Sequence, residues 1–465
     1  LKKDIAKKMR KIPSIDAFLK TKNGTAITKQ FGAGIAKFAL RSVLNDIRDE
    51  IKSNSSTEVP STAQISVLLK NSLLRLTSPS GRHAINASGI MLHTGLGRAP
   101  YADNAVESLS VFNGYSVLQT DLVSGKRSLR EEKIEAMLRE LTGCEAATVI
   151  NNNAEATMLI LNAIAKKKEV IISRGQLVEI GGSFRMPDVM EQSGAIMKEI
   201  GTTNRTHIKD YNAALSKKTG ALLHVHTSNY RVRGFTGTPT VREICEFRKK
   251  NCPDIPVLDD LGSGGLVHLS KFGLPDEPLI KESIAAGVDL VCFSGDKLIC
   301  SPQAGIICGK AELIAQIRKN SFARMFRVGK MTLAALESTL IHFINNTYKE
   351  EIPFYQMLSR TTNSLKKDAD TLLKALKKVK GYNISVIDDV AYVGSGSVPD
   401  QGVPDKVLRI EPVNADAAKL AACLRLNIPS VFSRLKDNAL LFNMRTLLND
   451  DLKILEKALI DILIK

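Results

Sequence analysis

Three features of the sequence predict an α/β protein with a mostly parallel sheet, a small helical N-terminal domain and a smaller α/β C-terminal domain. From about residue 85 to 345, short apolar runs alternate with helix-length segments, the pattern of a parallel sheet covered on both faces. Residues 1–52 have only helical apolar spacing, with thirteen basic against five acidic residues. After residue 346 a long amphipathic helix precedes strands, a helix, a hairpin-like segment and a final helix. The domains are accordingly drawn as 1–80, 81–345 and 346–465.

In the first domain Ile12, Ile15, Phe18 and Leu19 recur at helical spacing, and Pro13 sits near a helix start, where its missing N–H costs little. The polar stretch SNSSTEVPST, residues 53–62, reads as a linker or a capped helix entry. A helix over Ile65 to Leu76 then leads to a Ser-Pro-Ser-Gly break at 78–81. In the second domain Glu131 to Leu141 is amphipathic and Ala154 to Ala165 reads as a buried helix. Strands are expected at Val170–Ser173, Ala195–Ile196, Leu222–Thr227, Pro256–Asp259 and Leu290–Ser294. In the third, a helix from about Gln356 to Val379 precedes strands near Asn383–Ile387 and Lys406–Ile410. A hairpin, SVFSRLKDNALLFNMRT, precedes the last helix.

Composition narrows the function. The 44% hydrophobic and 24% charged content is that of a globular protein. No apolar run approaches the roughly 18 residues of a membrane span, and LKKDIAKKMRK has no signal-peptide core. Seven scattered cysteines without a C-x-x-C pair predict free thiols in a reducing cytoplasm. With no H-E-x-x-H and no His/Cys cluster, no metal site is expected. The net charge of +17 is concentrated at the N-terminus, where residues 1–52 contribute +8. A basic patch of that kind is the footprint of a polyanion or simply a solvated face.

The chemistry centres on DLVCFSGDKLICSPQAGIICGK, residues 289–310, which puts Lys297 at the tip of a strand–loop–strand unit. A lysine in partly apolar surroundings loses proton affinity and becomes a usable amine nucleophile, as a Schiff base with pyridoxal phosphate (PLP) requires. The other parts of such a site have candidates. Asp260, at the end of IPVLDD and before the turn LGSGG, suits the pyridine nitrogen, with Asp259 the competing choice because adjacent strand residues face opposite sides. Asn152 and Asn153, in the Asn151–Asn153 helix start, and Ser294 suit the phosphate. Ser228 and Asn229 suit the ring oxygen. Arg98 in HTGLGRAP, with Arg324 and Arg327 three residues apart on one helix face, offers guanidinium forks to a second anion.

These segments resemble the bacterial selenocysteine synthase (L-seryl-tRNA(Sec) selenium transferase) family over nearly the whole chain. INASGIMLHTGLGRAP, NNNAEATMLILNA, HTSNYRVRGFTG, CFSGDKLICSPQAG and FARMFRVGKMTLAALE carry the likeness, among others. The resemblance implies a fold-type I PLP-dependent transferase with Lys297 as the Schiff-base lysine. It implies selenophosphate held by Arg98, Arg324 and Arg327, and seryl-tRNA(Sec) gripped by the basic N-terminal domain and converted through an aminoacrylyl-tRNA. It further implies a homo-oligomer, at least a dimer and up to a ring of dimers, with neither DNA nor membrane as partner. Relatives with the same core act as lyases on small phosphorylated amino acids, the alternative reading, but generally lack the basic N-terminal domain. The sequence departs from the family pattern at Gly95, Ser128, Gly329 and, beside the lysine, at Ile299-Cys300-Ser301 where Leu-Gly-Gly is usual.

Overall fold

The computed structural model describes residues 2–54, 57–79, 81–181 and 184–464. Ser55 and Ser56 of the expected linker, and Ser80 of the Ser-Pro-Ser-Gly break, lie outside the described residues. The chain forms two compact units, Leu1–His83 and Ala84–Lys465.

The first unit is helical: Lys2–Lys11, Ile15–Leu19, Lys22–Phe31, Ala33–Ser53 and Thr62–Thr77. Pro13 lies between the first two helices, and Ser14 caps the second by accepting from the Ala17 N–H at 3.2 Å. Phe18, Ile27, Leu40, Leu44, Ile51, Ile65, Leu69 and Leu73 form its buried core, while Lys7, Arg10, Lys11, Lys20, Lys22, Lys29, Lys37 and Arg41 stay exposed.

The second unit holds fourteen strands among the described residues: β1 Ala84–Ala87, β2 Ala146–Ile150, β3 Glu169–Ser173, β4 Glu179–Ile180, β5 Phe184–Arg185, β6 Ile196–Ile200, β7 Thr219–Val225, β8 Val257–Gly262, β9 Leu290–Ser294, β10 Gly305–Gly309, β11 Tyr382–Gly394, β12 Ser397–Pro412, β13 Ser430–Lys436 and β14 Ala439–Asn443. The main sheet has the order β2-β10-β9-β8-β7-β3-β6, with β10 antiparallel to both its neighbours and the other pairs parallel. Alternate residues feed two cores. Ile171, Leu222, Val257, Val291 and Ile306 pack on one face, and Val170, Leu223, Leu258, Cys292 and Ile307 on the other. A sheet buried on both sides is why these strands read as continuous apolar runs.

The second sheet has the order β1-β13-β14-β12-β11. It takes β1 from residues 84–87, far from the C-terminal region that supplies its other strands. β11 and β12 form a ribbon much longer than the apolar segments near Asn383–Ile387 and Lys406–Ile410. Polar residues contribute to the extension: Lys406 of β12 pairs with Asp388 of β11 across the ribbon, and Arg434 of β13 reaches Asp389 at 2.6 Å.

The helix expected from about Gln356 to Val379 is two helices, Pro353–Ser359 and Thr362–Ala375. Thr361 starts the second by accepting from the Ser364 N–H at 3.2 Å. At the break the carbonyl of Arg360 accepts from Arg445 Nη1 at 2.9 Å. Arg445, only 3% exposed, also donates to Met357 O at 2.7 Å and Pro404 O at 3.2 Å, tying the break to β12.

Arg445→Met keeps the side chain's length but strands these buried carbonyls. The expected loss is about 3 kcal/mol, read as a lowered thermal midpoint, with Arg445→Lys recovering part of it. A midpoint equal to that of the wild type would remove this guanidinium from the account of the fold.

Candidate active site

The carboxyl ends of β7, β8 and β9 converge with the start of helix Asn153–Ala165. Two glycines allow the approach. At Gly264, with φ +73°, a Cβ would lie 2.8 Å from the Phe293 ring, so the LGSGG turn folds tightly against β9. At Gly305 a Cβ would lie 2.1 Å from Asn152 O, so β10 passes directly beneath the helix start.

Pleating separates the two aspartates of β8. Asp259 is engaged on one face, bonded by Ser283 Oγ at 2.6 Å and by His224 Nδ1 at 2.7 Å. Asp260 faces the other way, accepting from Asn153 Nδ2 at 2.8 Å and Thr157 Oγ1 at 2.9 Å. Those two donors stand one helical turn apart and so share a face. Burial pushes the Asp260 carboxyl above the usual carboxylate range, opposed by these hydrogen bonds and by Lys297.

Lys297 shares a cavity of about 270 Å³ with Asp260. It is 7% exposed. Burial first, then the positive charge of Arg98, lower its proton affinity, against Asp296, Asp260 and Glu277. The same cavity is lined by Arg98, Asn152, Asn153, Ser228 and Ser294. Asn152 caps the helix, accepting from the Glu155 N–H at 3.0 Å. Arg98 adopts φ 64°, unusual for a residue with a Cβ, and its Nη1 donates to Asp296 Oδ2 at 2.6 Å.

Three sequence-derived candidates stand apart from this cavity. Asn229 turns its Nδ2 to Glu179 O at 3.0 Å. Arg324 and Arg327 do not share one helix face: the helix Ser321–Met325 ends between them. It stops because the Phe326 carbonyl is taken by the Asn151 N–H at 3.0 Å, and Arg327 then bridges to Ile150. The pair lies behind the Asn151–Asn153 turn instead.

The structure adds Thr157, Asp296 and His226. Thr157 was recoverable from its i+4 spacing to Asn153, and Asp296 from its place beside Lys297. His226 lines the cavity with its Nδ1 buried and unbonded. Burial holds its proton affinity below the ordinary histidine value, partly offset by Glu277. Nothing in the sequence distinguishes it from His224.

The residues fit PLP. Ser228 Oγ and Asn153 Oδ1 are buried without hydrogen-bond partners, and a ligand's polar groups would satisfy them. The partly compensated charge of Asp260 suits a pyridinium N–H opposite a nucleophilic amine. A larger cavity of about 700 Å³, on the Asp259 side, holds neither group. Among the described residues no cluster suits a metal ion.

Comparison with known proteins gives consistent matches. The family model described as L-seryl-tRNA selenium transferase matches residues 84–448. The chain is 41% identical over 462 residues to the L-seryl-tRNA(Sec) selenium transferase of Carboxydothermus hydrogenoformans, covering 98% of this chain and 99% of that protein. It is 44% identical over 390 residues to the protein of the same description from Aquifex aeolicus, covering 83% and 86%. Among solved structures, D-glucosaminate-6-phosphate ammonia-lyase is similar with a TM-score of 0.57 at 17% identity, over 82% of this chain and 95% of that one. At that identity the likeness speaks for the fold alone.

The Lys297 environment predicts a pH signature. In PLP-free protein the rate of PLP capture should rise with pH as the amine loses its proton, with a midpoint below the ordinary lysine value of 10.5. Arg98→Gln removes a neighbouring positive charge and releases Asp296. Both changes favour the ammonium form, so the midpoint should move up. Reconstitution followed by absorbance across pH measures it, and an unmoved or lowered midpoint would contradict the coupling.

Proposed function

Since the chain belongs to the L-seryl-tRNA selenium transferase family, we propose that Lys297 and Asp260 carry its conversion of seryl-tRNA(Sec) to selenocysteyl-tRNA(Sec). The enzyme is a PLP-dependent transferase of fold type I. The observation that most supports these residue roles is that a buried lysine and a buried carboxylate line one cavity at the carboxyl ends of the sheet.

Bound at Lys297, PLP supplies the electron sink that makes the seryl α-proton removable. Asp260, oriented by Asn153 and Thr157, holds a proton at the pyridine nitrogen. Lys297 Nζ takes the α-proton and later returns it to the α-carbon of the product. The reduced proton affinity of that amine suits both transfers. Ser228 serves the ring oxygen, with Asn229 bracing the adjacent chain, while Ser294, Asn152 and Asn153 serve the phosphate. Arg98, Arg324 and Arg327 bind selenophosphate; its selenium bonds the β-carbon after the β-hydroxyl leaves as water, and the Se–P bond breaks as the phosphoryl group passes to water, releasing phosphate.

The N-terminal unit binds tRNA(Sec). Its support is the set of exposed lysines and arginines over a self-contained helical core. The minimum assembly is a homodimer. Tyr115, Leu122 and Val123 are 109%, 79% and 98% exposed in one chain, apolar surface that a second copy would cover. Among the described residues no helix is long and apolar enough to cross a membrane. A reaction on charged tRNA, with cysteines that are all free, fits the cytoplasm.

Incubation of the holoenzyme with seryl-tRNA(Sec) and selenophosphate should yield selenocysteyl-tRNA(Sec). Lys297→Ala should abolish both that product and the visible absorption band of lysine-bound PLP; a retained band would remove Lys297 from its role. Deleting residues 1–83 should abolish tRNA binding, measured by filter retention, while the PLP band persists. Full tRNA affinity in the truncated protein would refute the N-terminal assignment.

A further inference from the structure

Behind the Asn151–Asn153 turn stands a third arginine that the sequence motifs do not single out. Arg130 follows a short hairpin in which Thr120 bridges Arg127 and the Ser128 N–H donates to Gln119 O at 3.1 Å. Gln119 Oε1 in turn accepts from Arg327 Nη2 at 3.3 Å. Arg130 Nη1 donates to Val328 O at 2.9 Å, on the residue after Arg327. The hairpin and the 324–328 segment are therefore tied together by two bonds, with a guanidinium at each.

The result is a concentration of like charge. Burial first, then the charge of Arg327, weaken Arg130's hold on its proton; Glu131 opposes them, and Arg324 adds a smaller push in the same direction as Arg327. Among the described residues none of the three makes an ion pair. The nearby carboxylate of Glu131 accepts from Thr148 Oγ1 at 2.8 Å and lies 3.8 Å from Arg318 Nε, so it is engaged elsewhere. Three guanidiniums that repel one another, opposed by the charge of Glu131 on Arg130 but by no ion pair among the described residues, form an arrangement that an anionic ligand would stabilise.

The donor geometry says which kind of anion. With Nη1 held by Val328 O, the free edge of Arg130 is Nε and Nη2, and Nε is buried with no hydrogen-bond partner. That edge presents two parallel N–H groups, the fork that matches two oxygens of a tetrahedral oxyanion. We propose that Arg130 completes an oxyanion site with Arg324 and Arg327, so that the guanidinium pair behind the turn becomes a trio on the phosphorus oxyanion of the selenium donor, with Arg98 on the cavity side. This deepens the reading above, in which Arg324 and Arg327 bind selenophosphate, and rests on it. Arg130 is a binding residue: its backbone-anchored fork sets where the donor sits, and it takes no part in proton transfer.

The test uses full-length holoenzyme and compares Arg130→Gln and Arg130→Lys with wild type. KM for selenophosphate and the inhibition constant of inorganic phosphate should each rise about tenfold or more in Arg130→Gln, as expected for a lost charged hydrogen bond. Arg130→Lys keeps the charge but not the fork, so it should recover only a small part. KM for seryl-tRNA(Sec) and the PLP absorption band should stay as in wild type, and kcat at saturating selenophosphate should fall less than KM rises. Values of KM within twofold of wild type in both variants would overturn the proposal. So would a loss shared equally by tRNA affinity and the PLP band, which marks a structural role. Arg324→Gln and Arg327→Gln separate the two levels. If they too leave KM for selenophosphate unchanged, the underlying site assignment fails; if they raise it and Arg130→Gln does not, only the third guanidinium fails.

Discussion

The buried carboxylate of Asp260 is the constraint on which the site depends. A charge in the middle of a sheet covered on both faces is costly unless it is hydrogen-bonded and paired. Asn153 and Thr157 supply the hydrogen bonds and Lys297 part of the charge. Each is delivered by a different feature: a helix start, the turn after it, and the loop beyond β9. The carboxylate therefore fixes the register of three elements at once. It still carries uncompensated charge, which a pyridinium would answer. Stability and cofactor binding thus act on the same atoms.

Strand pleating was the most legible part of this design. Alternation in IPVLDD separates Asp259 from Asp260, and the turn residues after each apolar run mark where strands end and ligands gather. Lys297, Asp260, Ser294 and the Asn152–Asn153 helix start were readable for that reason. The arginines were not fully readable. Arg324 and Arg327 share helical spacing, yet the helix ends between them because a distant backbone N–H, that of Asn151, takes the Phe326 carbonyl. Spacing encodes local geometry, and a tertiary hydrogen bond can override it. The broken helix before Thr362 has a related cause: Arg445 reaches into it from the far end of the domain.

Charge is arranged on two sides of one turn. Inside the cavity, Arg98 is paired with Asp296, so its field at Lys297 is moderated and the amine is depressed mainly by burial. Behind the turn, Arg130, Arg324 and Arg327 make no such ion pair among the described residues. The difference is one of charge balance: the guanidinium beside Lys297 is paired, and those behind the turn are not. A basic chain of net +17 does not require this division. It follows from where the few nearby carboxylates are committed.

The loop after Lys297 bears on how far departures from a family pattern alter a site. Cys300 occupies a position where the family usually has glycine, and its φ of 64° lies in the left-handed region that disfavours a Cβ by about 1 kcal/mol. The side chain offsets that strain. It is fully buried, and its thiol donates to Lys297 O at 3.2 Å. Ser301 Oγ likewise donates to Gly295 O at 3.0 Å. Burial drives the Cys300 thiol well above its ordinary pKa, so it remains a protonated donor and a poor nucleophile. Neither side chain lines the Lys297 cavity. Both instead bond carbonyls within Ser-Gly-Asp-Lys, those of Gly295 and Lys297, on either side of Asp296. Substitution of two glycines here therefore stiffens the segment that carries the lysine and leaves the chemistry facing the cofactor unchanged.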